Sequence, residues 1–171
     1  MLLGSVGGLI TIVLTQFIYP SYYDPNPVTF AEGIVYVIAF GLLMLGFFIV
    51  GKKEKNKLLR LSSILMLIMF SIPLFLFGEH LINISLVSFL FGFALLNVVK
   101  LAPLTKYAAV LNFIITPIGI LELFRYSIYG GVSGTPSIFL GWLVTLFSIA
   151  LILESYLLYR AREIYGTKAK R

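Results

Sequence analysis

Between Arg60 and Lys100 the chain runs from residue 61 to residue 99, 39 positions, without a lysine or arginine. Two helices of about 20 residues fill such a stretch, each long enough at about 1.5 Å per residue to cross roughly 30 Å of hydrocarbon. Close to the midpoint, in FGEHLINISLVSFLFG, stand Glu79, the only histidine, His80, and Asn83. If both cationic ends stay on one side of a membrane, Glu79 and His80 mark a tight turn on the other.

The same reasoning extends along the chain. Hydrophobic side chains make up 60% of the 171 residues and the mean hydropathy is +1.03, against about 45 to 50% apolar in soluble domains. Hydrocarbon offers no partner to unpaired backbone groups, so apolar runs of this length cross it as helices. The pattern predicts an all-α integral membrane bundle of six transmembrane helices, at about 2–19, 30–50, 61–78, 81–99, 107–124 and 138–159. Short connectors leave no room for a soluble module, so residues 1–171 form a single transmembrane domain. The first span lacks a basic leader and a small-x-small cleavage site, which favours a retained helix over a signal peptide.

Lys52, Lys53, Lys55, Lys57, Arg60, Lys100, Lys106 and the cations from Arg160 onward fall on one side of this arrangement, and of the 13 Lys and Arg only Arg125 falls on the other. The positive-inside rule makes the rich side cytoplasmic, with both termini there, in a multi-pass plasma-membrane protein. Tyr19, Tyr22, Tyr23, Tyr126 and Tyr129 then mark the outer interface, and Tyr107, Tyr156, Tyr159 and Tyr165 the inner one.

The net charge of +6 sits between spans, which points to the lipid bilayer rather than to nucleic acid. With no cysteine and one histidine, thiolate ligands, disulfides and an HExxH zinc site are all excluded. No G-x-S-x-G, P-loop, GxGxxG or Asp-rich metal motif occurs, so no catalytic or metal-ligating residue is assigned and no cofactor is named.

Ionisable groups at membrane depth are costly and often functional. Glu32, Glu79, His80, Glu122 and Arg125 all fall near the outer ends of spans, where they form a candidate pocket for a cation, a proton or a polar headgroup. The plainer reading is that they are interfacial residues in water serving caps and turns. Glu122 and Arg125, three apart, share a helix face and can pair. Glu154 lies about 9 Å inside Arg160 and is expected to snorkel to the cytoplasm or to pair with Lys100 or Lys106. Helix packing is assigned to Gly4 and Gly8, to Ser88 and Gly92, to interhelical hydrogen bonds from Asn97 and Asn112, and to a kink at Pro117.

The order of these features, with YPSYYDPNPVTFAEG after the first span, HLINISLVSFLFGFALL in the middle and YGGVSGTPSIFLGWLV before the last, resembles the six-helix integral membrane family of archaea and bacteria known as domain of unknown function 998. The likeness covers about residues 5 to 155. Where that family carries Ser-Asp-Leu-Gly, this chain reads Thr29, Phe30, Ala31, Glu32 and Gly33. Where the family carries Gly-Gly-Met-Glu-Arg, it reads Ser133, Gly134, Thr135, Pro136 and Ser137, without charge. The resemblance implies six helices and a prokaryotic, archaeal membrane, and brings no biochemical activity with it.

Three functions compete. The leading one is a non-catalytic membrane subunit that packs against other membrane proteins or a second copy of itself, for instance in a respiratory or other energy-transducing complex. The second is a small carrier or receptor for a lipid-like or cationic ligand, using the outer carboxylates. The third, an intramembrane lipid enzyme with His80 and Glu79 as acid and base, lacks supporting motifs.

Overall fold

The structure, a computed structural model, describes residues 1–18, 30–76, 80–129 and 138–166; side chains are not described for residues 16–18, 30–32, 72–76, 80–84, 99, 123, 126–129 and 138–140. The described chain is all-helical: α1 (Leu2–Ile18), α2 (Phe30–Lys53), α3 (Lys57–Leu76), α4 (His80–Leu96), a single 3-10 turn (Val99–Leu101), α5 (Leu104–Tyr129) and α6 (Ile138–Gly166). Of these, α2, α5 and α6 are each long and apolar enough to cross a membrane by length and composition, while the described parts of α1 and α4 are shorter apolar helices. These are the features of a membrane protein.

Several helices outrun the apolar stretches that predict them. α2 continues to Lys53, α5 begins at Leu104 and reaches Tyr129, and α6 continues to Gly166. Hydropathy detects only what hydrocarbon requires, and a helix already nucleated keeps adding backbone bonds into its polar flanks. α4 does the reverse, ending at Leu96, short of residue 99. There the Asn97 and Val98 amides reach back to the carbonyls of Ala94 and Leu95, tightening the last turn.

Each helix packs on its neighbours in sequence, and α1 closes the ring against α6. The pairing of α1 with α2 is antiparallel, since Gly4 lies beside Gly46 while Thr15 shares a 2.6 Å hydrogen bond with the Tyr36 hydroxyl. Likewise Gly41 faces Leu67 and Gly51 faces Arg60 across α2 and α3. The core is built outward from α2. Phe40 stacks on Phe70 at 4.1 Å between centroids, Tyr36 meets Phe70 edge-on at 4.7 Å, and Phe47 meets Phe91 edge-on at 5.1 Å.

Polarity is distributed as in a bundle surrounded by hydrocarbon. Thr11, Thr15, Ser62, Ser63, Ser85 and Ser88 are buried, while Leu3, Leu9, Val13, Phe89, Phe93, Phe124 and Trp142 are more than half exposed. So many large apolar side chains turned outward on α1, α4, α5 and α6 suit a hydrocarbon surround better than water. Several buried hydroxyls donate to carbonyls of their own helices, as Thr11 does to Gly7 and Ser63 to Leu59.

The connector between α2 and α3 is tightly specified. The Asn56 amide donates to the Gly51 carbonyl and the Lys55 amide to that of Lys52, while Lys55 takes a left-handed φ of 55°, the pattern that closes helix C-termini. Asn56 then caps α3 by accepting the Leu59 amide at 2.9 Å, and its own amide donates to the Ala94 carbonyl of α4. At the same end Lys100 pairs with Glu54 at 3.1 Å, the Tyr165 hydroxyl donates to Glu54, and the Lys100 ammonium stands 5.6 Å from the Tyr165 ring centre. The lysine-rich connector, the α4–α5 connector and the last turn of α6 therefore gather at one end of the bundle.

Candidate functional site

Among the described residues, two buried carboxylates, Glu154 and Glu122, are the centres of polar chemistry inside the bundle. Glu154, 3% exposed on α6, accepts a 3.0 Å hydrogen bond from Asn112 Nδ2 of α5. Asn112 is itself 1% exposed, and its amide also donates to the Ala108 carbonyl one turn back. The amide thus bridges its own helix and the next. The position differs from the sequence expectation: Glu154 does not snorkel to the cytoplasm, and Lys100 is engaged by Glu54 instead. The reason is geometric. Glu154 faces α5 rather than lipid, so its carboxylate meets a neighbouring helix before it can reach the interface.

Glu122 is 2% exposed and meets Arg125 on the same helix. The guanidinium Nη2 stands 2.7 Å from Oε1, and Nε donates to both carboxylate oxygens at 3.1 Å. An arginine fork on a carboxylate fixes both the direction and the charge of the pair. Arg125 keeps a route outward, with its side chain 26% exposed. Asn112 and Glu122 are ten residues apart on α5, so the two carboxylate centres are separated by about 15 Å along the axis.

Of the other candidate pocket residues, Glu79 lies outside the described residues, Glu32 sits in the first turn of α2 and His80 opens α4, with neither of the latter side chains described. Their convergence with Glu122 and Arg125 therefore lies outside the described structure. Among the described residues, no three His, Cys, Asp or Glu side chains gather as a metal ion would require.

The packing residues divide. A Cβ at Gly4 would come within 2.9 Å of the Leu42 carbonyl, and one at Gly8 would collide with Ser155 Oγ, so α1 lies wedged between α2 and α6 of the same chain. Gly92 stands equally close to α5, 3.0 Å from the Ala109 carbonyl by the same measure, and Ser88 is fully buried. Beside this contact the Thr116 hydroxyl donates to the Ser85 carbonyl at 2.9 Å. Asn97 corrects an expectation. Its amide donates to the Phe93 carbonyl of its own helix and the residue is exposed, so it joins no other helix, because α4 has ended one residue earlier. Pro117 lies inside α5, where its missing N–H leaves one backbone carbonyl a turn earlier without its helical donor.

Sequence reasoning passed over Gly7 and Glu54, and placed Tyr165 only as a marker of the inner interface. A Cβ at Gly7 would meet the Ala39 carbonyl at 2.5 Å, a backbone atom that cannot rotate away. The signal available was the Gly7-Gly8 doublet itself, since a GxxxG search selects only spacing. Glu54 and Tyr165 are 111 residues apart and carry no local signal of their contact.

Comparison of the chain with protein-family models, with curated proteins and with solved structures finds no match in any of the three.

Proposed function

We propose that this chain is a multi-pass plasma-membrane protein of six spans with both termini in the cytoplasm, serving as a non-catalytic subunit that packs against other membrane proteins. Membership of the six-helix family that it resembles is part of the same proposal. The observation that carries it is how three of the described carboxylates are used: Glu154 is held by Asn112, Glu122 by Arg125, and Glu54 by Lys100 and Tyr165. These contacts join the chain to itself. What the bundle offers outward is apolar and aromatic, with Phe89 and Phe93 on α4 and Phe124 on α5 all more than half exposed. Such a surface suits helix-to-helix association within a bilayer.

Purification from native membranes in a mild detergent tests the reading. The expected result is a stoichiometric complex with other membrane proteins, and a reporter fused after Arg171 that is active only in the cytoplasm. A stable solitary monomer would overturn the subunit role; an external reporter signal would overturn the topology.

A second reading, a small carrier or receptor for a cationic or lipid-like ligand, is favoured by the depth of Glu154, because an ionisable side chain within a span is a functional candidate by default. It predicts that ligand binding vanishes in Glu154→Gln.

A further inference from the structure

Arg60 stands in the first turn of α3, half-buried, where the lysine-rich connector returns into the bundle. Among the described residues no hydrogen bond or ion pair engages its side chain, and Nε is buried without a partner. The acid nearest in sequence, Glu54, is already taken by Lys100 and Tyr165. A buried arginine N–H left dry is costly, so the position calls for an acceptor that the protein itself does not supply.

The stem of Arg60 crosses the seam between α2 and α3 at Gly51, where a Cβ would come within 2.9 Å of Arg60 Cγ. Further along the same seam runs an apolar groove of about 260 Å³, walled by Gly41, Leu45 and Phe48 of α2 and by Ser63, Ile64 and Leu67 of α3. Arg60, Ile64 and Leu67 follow one another along a single face of α3. From the level of Gly51 to that of Gly41 is ten residues of α2, about 15 Å. The groove opens outward, since Leu45 is 52% and Ile64 45% exposed. Gly41 borders open space: a Cβ there would meet only Leu67 Cδ1, at an ordinary 3.6 Å.

A cation without an acceptor at one end and a hydrocarbon-lined channel leading away from it have the shape and polarity of one kind of molecule. We propose that the α2–α3 seam binds an anionic phospholipid, with one hydrocarbon chain in the groove and the phosphate held by the fork of Arg60. Exposed Lys52 and Lys53 in the last turn of α2 and Lys57 at the start of α3 belong to the same end of the α2–α3 hairpin and add attraction for an anion. Arginine suits the role because its planar donors meet phosphate oxygens in pairs. The inference rests on the bundle spanning a membrane with the 51–60 connector at headgroup depth, and needs no protein partner.

The test uses the full chain in mild detergent, titrated with phosphatidylglycerol or with phosphatidylcholine of identical chains, and read by native mass spectrometry. The parent is expected to bind phosphatidylglycerol about tenfold more tightly, the difference that a charge-assisted contact supplies. Arg60→Gln should weaken both lipids, which share the phosphate, but phosphatidylglycerol the more, so that most of the preference is lost, because the choline of phosphatidylcholine already offsets its phosphate. Gly41→Leu should weaken both lipids by filling the groove; it replaces a glycine with a better helix former, and its Cβ meets only Leu67 Cδ1 at an ordinary distance. Lys106→Gln, an exposed cation on α5, should behave as the parent. Retained preference in Arg60→Gln, undiminished binding in Gly41→Leu, or a loss in Lys106→Gln equal to that in Arg60→Gln would each overturn the site. Failure of the underlying membrane reading looks different: the unmodified chain would then be washed from membranes by aqueous buffer, whereas failure of the site alone leaves an embedded chain indifferent to headgroup charge.

Discussion

Glu122 and Glu154 are hidden to nearly the same degree, 2% and 3% exposed, yet the chain answers them in opposite ways. Glu122 has a guanidinium three residues further along its own helix, bound through two nitrogens. Glu154 has an amide from a different helix, 42 residues away in sequence. The first pairing neutralises a full charge locally and would form in an isolated α5. The second supplies a dipole and no charge, and it exists only once α5 and α6 have met. Depth alone therefore does not define a buried carboxylate. Its partner decides whether the group anchors one helix internally or ties two together.

The comparison is broken most severely at Arg125. Arg125→Gln removes the cation 2.7 Å from a buried carboxylate, and truncating one side of such a pair typically costs about 3 kcal/mol or more. We expect the largest loss of stability here, measured as unfolding of the purified chain in detergent. Asn112→Leu comes next. It matches the side chain in size but withdraws the amide from Glu154, and interhelical hydrogen bonds within membranes contribute about 1 to 2 kcal/mol at most. A loss at Asn112 exceeding that at Arg125 would invert the ranking, and would mean that Glu154 carries a full charge that the amide alone sustains.

These two centres also show where sequence reading succeeds and where it stops. The Glu122–Arg125 pairing was legible because three residues on a helix always share a face. So were the apolar stretches, because the length needed to cross hydrocarbon is set by the helix rise. Glu154 was visible as an unusual residue, but its partner was not, since which face of α6 meets α5 depends on the packing of the whole ring. The same holds for Gly7, whose contact with the Ala39 carbonyl is a matter of helix rotation rather than spacing. It holds also for the meeting of Glu54, Lys100 and Tyr165, assembled from three separate stretches of chain. Asn97 erred for a local reason: an amide just past the end of a helix satisfies the nearest open carbonyl, that of Phe93, before any distant one.

The smallest expected effect distinguishes most. In Glu154→Gln the new side chain still presents a carbonyl oxygen to Asn112 Nδ2, with the same volume and no charge to desolvate. If Glu154 serves only to join α5 to α6, stability should change by no more than about 0.5 kcal/mol, and association with partner proteins should persist. If instead the carboxylate handles a cation or proton, the fold will survive equally well while ligand binding is lost, because glutamine reproduces the acceptor and none of the charge. Unfolding and binding measured on the same preparation separate the two, since a structural role predicts that neither moves and a ligand role that only binding does. The contrast with Glu122 is what gives the result its meaning, for there the charge is matched by a guanidinium in the same helix and its removal must be felt in stability.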